Sequence, residues 1–299
     1  MSHTICTLFE GHYHLGVGAL INSLHANGFS GRIICGHRGP QPSWADAARA
    51  LQDRIEVRFV EVSADVHFTH YKPAFMRECW ATHAADAEQL YYFDPDIVVK
   101  APWSVIDRWA ADGVALCEDV NPYLPARHPY RLAWEDFLRA HGLPPRRPLD
   151  RYYNAGFIGL PRAHAGLLDA WTRIIAAAAQ HVSLSTIKVK NASALFHTPD
   201  QDALNMALMV TDAPVNGAGP EGMDFTTGGH LLSHAIGGRK PWRGGFLHDA
   251  LRGRPPCSAQ KSFFRFAESP LRLFPSAELA RLRLSLLGGI VLGRVYRRA

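Results

Sequence analysis

The 299 residues contain no apolar run long enough to span a bilayer, so an integral membrane protein is not expected. The first residues, Met1-Ser2-His3-Thr4-Ile5-Cys6, lack a basic stretch followed by a long apolar one, and no secretory leader is expected. Cysteine is sparse and odd in number: Cys6, Cys35, Cys79, Cys117 and Cys257 are scattered, with no CxxC pair and no Cys/His spacing of a zinc site. That usage excludes a disulfide framework and points to a reduced, cytoplasmic protein. Fixed-period repeats and low-complexity stretches are absent as well. The net charge of +5 is not spread along the chain. Residues 251–299 hold ten Lys/Arg against two Asp/Glu, whereas the first 250 are slightly acidic. The basic character therefore belongs to the tail, and no nucleic-acid groove is expected in the main body.

What is present is a pattern of strands and helices ending in an acidic triplet. Apolar residues 4–9 predict a buried strand, and a helix follows from Leu15 to Asn27, closed by Gly28. Strands are expected at Arg32–Cys35 and Ile55–Val62, with a helix at Trp44–Leu51 between them. A third helix is expected from Pro73, in its first turn, to His83. The run Leu90-Tyr91-Tyr92-Phe93 then leads into Asp94-Pro95-Asp96. Alternation of strands and helices argues for a parallel α/β sheet, in which ligands bind beyond the carboxyl ends of the strands. Two carboxylates one residue apart at such an end suit a hard divalent cation that also holds phosphate oxygens. Taken alone, the triplet also has a plain alternative, a turn with a cap.

Three later segments add chemistry. Asn154-Ala155-Gly156 precedes an apolar run; its small residues allow close approach, and Asn154 offers the donors and acceptors a sugar hydroxyl needs. Asp200-Gln201-Asp202 opens a helix, where acids also simply complement the dipole. His234 lies in a Gly-rich stretch that ends Lys240-Pro241-Trp242. A neutral imidazole completes the coordination of an ion such as Mn²⁺, and Lys240 presents a compact charge to a phosphate.

These four segments, in this order, resemble a glycosyltransferase of the GT-A fold, of the retaining, family-eight type to which glycogenin and bacterial lipooligosaccharide galactosyltransferases belong. The resemblance covers about residues 4–245. It implies a Rossmann-like α/β fold with a mixed, mostly parallel sheet flanked by helices. It also implies transfer of a hexose, UDP-linked, to an acceptor hydroxyl with retention, in bacterial surface-glycan synthesis. The acceptor would be a glycan, a lipid-linked sugar or a protein, and the cofactor Mn²⁺ or Mg²⁺. Carried over residue by residue, Asp94, Asp96 and His234 bind the metal. Lys240 and Gly237 hold the diphosphate. Asn154, Asp200 and Asp202 hold sugar hydroxyls, and Gln201 lies against the anomeric carbon. Thr7, Phe9 and Tyr13 receive the base, and Arg77 reaches the donor. The chain departs from the family in carrying Glu10-Gly11-His12 before Tyr13 rather than an Asp-Asn pair. A metal-dependent phosphohydrolase and a non-catalytic sugar-nucleotide-binding protein are the competing classes.

A catalytic domain is expected over 1–250 and a basic, partly helical tail over 251–299. The tail mixes Phe263, Phe264, Phe266, Leu271, Leu273 and Phe274 with arginines up to Arg297 and Arg298. That composition fits attachment to an anionic inner membrane face, with packing on the domain as the alternative. Gly288, Gly289 and Gly293 are expected to bend or break its last helix.

Overall fold

The computed structural model describes residues 3–120, 124–186 and 195–295. The first half runs β1 (His3–Glu10), α1 (His14–Ala26), β2 (Gly31–Arg38), α2 (Ala45–Arg49), β3 (Ile55–Glu61), α3 (Phe68–Glu78), β4 (Gln89–Phe93), β5 (Ile97–Val99), α4 (Trp103–Trp109) and β6 (Val114–Cys117). The second half runs α5 (Pro129–Ala140), β7 (Phe157–Pro161), α6 (Gly166–Ala178), α7 (Pro199–Val210), β8 (Val215–Ala218), β9 (Leu232–His234), α8 (Phe246–Leu251), α9 (Ser258–Arg265) and α10 (Ser276–Val295).

Among the described residues, seven strands form one sheet in the order β3-β2-β1-β4-β7-β6-β8. The pairs β3–β2, β2–β1, β1–β4 and β6–β8 are parallel, and β7 runs against both β4 and β6. The expected mixed, mostly parallel α/β sheet is what forms. A separate two-stranded ribbon pairs β5 with β9, antiparallel.

Strand side chains alternate between faces, and the two cores follow that rule. On one face Cys6, Leu8, Leu90, Tyr92, Ile158 and Leu160 pack under α3, α6 and α7. On the other, Ile5, Phe9, Tyr91, Phe93 and Phe157 pack against α1 and the C-terminal helices.

Two local expectations need correction. Pro73 lies inside α3 rather than in its first turn, because the helix already starts at Phe68 behind His67, whose ring accepts from the Thr69 N–H. The helix also widens into a π-type turn over Cys79–His83. In the tail, α10 is one continuous helix of 20 residues. Its glycines serve close approach: a Cβ on Gly289 would lie 2.8 Å from the Phe246 carbonyl oxygen, and one on Gly293 2.4 Å from Pro255 Cβ.

The tail's aromatic residues do not face outward. Phe263, Phe264, Phe266, Leu271, Leu273 and Phe274 are all buried in the second core beside Leu20 and Leu24 of α1. Asn22, fully buried, stitches this segment to α1. Its amide donates to the Phe266 and Leu271 carbonyls at 2.7 and 2.8 Å and accepts from the Leu271 N–H at 2.8 Å. The alternative of packing on the domain therefore holds for residues 258–274, and residue 250 is no break in the core. Arg297 and Arg298 lie outside the described residues.

Truncating Asn22 leaves three buried backbone groups without partners. Asn22→Ala should cost about 3 kcal/mol in urea unfolding, with an unchanged m-value. A loss below about 1 kcal/mol would mean that apolar burial alone holds the 266–271 segment.

Candidate active site

The register of the strands assembles the site. Phe93 pairs with Phe157 across β4 and β7, so Asp94 and Gly156 stand side by side, joined by the Asp94 N–H on the Gly156 carbonyl at 2.6 Å. Asp94 follows the alternation of Leu90 and Tyr92, which turns it to the face covered by α3 and α7. Asp96 is handed to the ribbon instead. Ile97 pairs with His234, and the Ala235 N–H donates to the Asp96 carbonyl at 3.0 Å.

Asp94, Asp96 and His234 consequently converge. One ligand atom from each lies within 4.8 Å of the others. His234 Nε2 stands 3.2 Å from Asp96 Oδ1 and 3.8 Å from Asp94 Oδ2. His234 Nδ1 is buried and has no hydrogen-bond partner among the described residues. Asp96 is buried, which on its own would raise its pKa, but His234 and Lys240 outweigh that and hold the carboxyl well below its usual range. The cluster fits a divalent ion on three counts. The donors are two carboxylates and an imidazole, which suit Mn²⁺. They are already gathered without a thiolate. Gly156 leaves the space open: a Cβ there would sit 2.6 Å from His234 Cε1 and 3.0 Å from Asp94 Oδ2.

Lys240 caps the cluster. Its Nζ lies 2.6 Å from Asp96 Oδ2 and donates to the Ala235 carbonyl at 2.9 Å. It also stands 5.7 Å from the centre of the Tyr13 ring, and that half-buried ring meets Trp242 edge-on at 5.3 Å. Tyr13, Lys240 and the metal-type cluster are thus contiguous. Gly237 forms an exposed left-handed turn, φ +105°, in the loop between His234 and Lys240.

Lys72, which the sequence reading missed, joins the two halves of the site. It is 2% exposed and lies 3.0 Å from Asp94 Oδ1, 3.2 Å from Asp200 Oδ2 and 3.0 Å from the Ala155 carbonyl. Burial alone would lower its pKa; Asp94 and Asp200 outweigh it and keep the ammonium charged. The signal was available: Lys72 falls on the apolar stripe Phe68, Phe75 and Met76 of α3, and a cation there demands acidic partners. Arg77, expected at the donor, is not brought to the site. Five positions after Lys72 is about 140° around the helix, and Arg77 instead pairs with Asp169 near the surface, Nε to Oδ1 2.9 Å.

The sugar-side residues form a second network. Asn154 and Gln201 both donate to Asp119 Oδ2, at 2.6 and 3.1 Å. Asn154 Oδ1 accepts from the Gly156 N–H at 2.8 Å, and Gln201 Oε1 from the Ala155 N–H at 3.2 Å. Asp119, at the carboxyl end of β6, carried no motif and went unnoticed in the sequence. Asp200 Oδ1 is buried without a hydrogen-bond partner among the described residues.

Three expected donor ligands sit differently. Asp202 is engaged by Tyr152 OH at 2.7 Å and by the His197 and Thr198 N–H groups at 2.7 and 2.8 Å, so it fixes the loop before α7 rather than facing a sugar. Phe9 is core, stacked on His37 at 5.8 Å. Thr7 is fully buried, its hydroxyl without a partner among the described residues.

The sheet and the ribbon form an α/β fold of the GT-A type. The chain matches the apo structure of the bifunctional glycosyltransferase WbbM at TM-score 0.56 and 15% identity, over 94% of this chain and 51% of that one. It therefore spans about half of the WbbM chain. It also matches the galactosyltransferase LgtC bound to donor and acceptor sugar analogues, at TM-score 0.52 and 18% identity, over 93% of this chain and 100% of that one. An active-site mutant of LgtC, glutamine to glutamate, matches at TM-score 0.52, 18% identity and 92% of this chain, 98% of that one. At these identities the likeness is one of fold. No family model and no curated protein matches the chain.

Two outcomes follow from the geometry. Gly156→Ala should weaken Mn²⁺ binding, followed by electron paramagnetic resonance, on the order of tenfold or more by crowding His234 and Asp94; unchanged affinity would place the ion elsewhere. The Asp202 carboxyl, desolvated by burial and only partly compensated by its donors, is pushed up to about 6. The folded state then binds its proton more tightly than the unfolded chain, so this contribution to stability is full below about pH 4 and is lost as pH rises through about 6. The stability difference between wild type and Asp202→Asn should shift by about 3 kcal/mol across that window, against wild type at the higher pH. A flat difference would contradict the burial argument.

Proposed function

We propose that the protein is a metal-dependent glycosyltransferase that moves a hexose from a nucleoside diphosphate, UDP by the resemblance, to an acceptor hydroxyl with retention of configuration. The observation that carries this reading is one buried cation shared between the two sides of the site: Lys72 touches Asp94 of the Asp94–Asp96–His234 cluster and Asp200, the neighbour of Gln201 at the start of α7. LgtC was crystallised with donor and acceptor sugar analogues, which supports a sugar donor and a glycan-type acceptor here.

A divalent ion on Asp94, Asp96 and His234 would supply Lewis-acid neutralisation of the diphosphate. The protein's own part is positioning. Lys240 stands beside that cluster and can exchange Asp96 for a phosphate oxygen as a mobile point charge. Asp200, with one oxygen on Lys72 and the other without a hydrogen-bond partner among the described residues, is set to accept from a sugar hydroxyl. Asp119 fixes the amides of Asn154 and Gln201, and Gln201 is the polar group assigned to the anomeric centre. Asp200 is tied to Lys72 and Asp202 to three donors, so neither serves as a nucleophile. Same-face attack assisted by the leaving phosphate is the consistent route to retention. Stabilisation of the charge that grows on the leaving group is the main catalytic effect.

Calorimetry tests the reading. UDP should bind wild type only with Mn²⁺ present, and Asp96→Ala should lose that dependence together with the binding. Asp200→Asn and Gln201→Ala should keep nucleotide affinity within a few-fold while turnover falls on the order of 100-fold. Equal UDP affinity in EDTA, or loss of UDP binding in either sugar-side variant, would overturn these assignments.

A further inference from the structure

The outer face of α10 is apolar and open. Leu284, Leu287, Val291 and Val295 are 69%, 57%, 58% and 77% exposed. Their spacing keeps them on one stripe of the helix. The helix cannot turn to hide them, because Leu279, Leu282 and Leu286 on its inner side are locked in the second core. Helix α8 widens the patch with Leu247 and Leu251, 44% and 60% exposed. Leu247 abuts α10 directly: a Cβ on Gly288 would meet its Cδ1 at 3.0 Å.

Cations border this patch. Arg281 and Arg294 are exposed and project about 40° and 20° beyond the two edges of the stripe at 100° per residue. Arg252 and Arg254, also exposed, follow Leu251. Two neighbouring acids are engaged elsewhere, Glu268 with Arg283 at 2.8 Å and Asp249 with Arg239 at 3.0 Å, and Glu278 in the first turn of α10 lies about 100° from the stripe's nearer edge at 100° per residue.

We propose that this face of α10 and α8 docks on an anionic lipid surface, with α10 lying in the plane of the headgroups. An apolar stripe between arginines is the pattern of an interfacial helix. Charge decides against a second copy of the chain as the occupant, since a two-fold contact would set these arginines against themselves, while an anionic leaflet complements them. No described helix is long and apolar enough to cross a membrane, so the contact is peripheral. The surface differs from the aromatic one expected from the sequence, which is buried, and it does not rest on the proposed chemistry.

Co-sedimentation of the full chain with phosphatidylglycerol or phosphatidylcholine vesicles tests it, alongside light scattering without lipid. Wild type should bind phosphatidylglycerol vesicles, release them at high salt and ignore phosphatidylcholine. Leu287→Glu with Val291→Glu should abolish binding, and Arg281→Gln with Arg294→Gln should weaken it on the order of 30-fold. Both variants should keep the wild-type unfolding midpoint, since the positions are exposed, and the wild-type UDP affinity. Sedimentation of the variants like wild type would overturn the proposal. So would equal binding to both lipids, or a wild-type dimer that the Leu287→Glu/Val291→Glu change splits.

Discussion

A lysine ammonium taken out of water is tenable only where acids surround it. Lys72 meets that condition between Asp94 and Asp200, with the Ala155 carbonyl as a third partner. Three elements distant in sequence are thereby pinned to one point: α3, the end of β4 and the start of α7. Removing any one charge leaves the others buried and unbalanced, at a cost of about 3–5 kcal/mol for a broken buried pair. The arrangement also fixes the distance between the metal-type cluster and the polar network of Asn154, Gln201 and Asp119.

Strand alternation explains how a two-residue spacing serves two sites. Asp94 keeps the phase of Tyr92 and turns to α3 and α7. Pro95 ends the strand, and Asp96 passes to the β5–β9 ribbon, where register sets it beside His234. Gly156 is the third requirement, since a side chain there would crowd His234 Cε1 and Asp94 Oδ2.

Much of this was legible in the sequence because it is local. The strand before Asp94, the first α/β units, the start of α7 and the His234–Trp242 loop announce themselves through periodicity and turn residues. What was not legible depends on long-range packing. Arg77 was assigned to the donor by the resemblance and Lys72 on the same helix went unnoticed; the apolar stripe through Phe68 and Phe75 tells which of the two cations points inward. Asp202 looked like Asp200 until the loop at His197 and Thr198 claimed its oxygens. The aromatic tail residues read as membrane anchors, with packing on the domain as the alternative, and the stitch from Asn22, 244 residues before Phe266, has no signature in sequence. The glycines of α10 suggested a break, but each lies where α8 or the Pro255 segment needs room.

The proposed chemistry requires a single divalent ion on Asp94, Asp96 and His234. Diffraction from crystals grown with Mn²⁺ and UDP, with data collected at the manganese absorption edge, tests it most directly. One anomalous peak within about 2.0–2.3 Å of a carboxylate oxygen of Asp94, one of Asp96 and Nε2 of His234, touching the diphosphate, is the result it predicts. A peak elsewhere, or UDP bound in the cleft with no peak at these three residues, would contradict it.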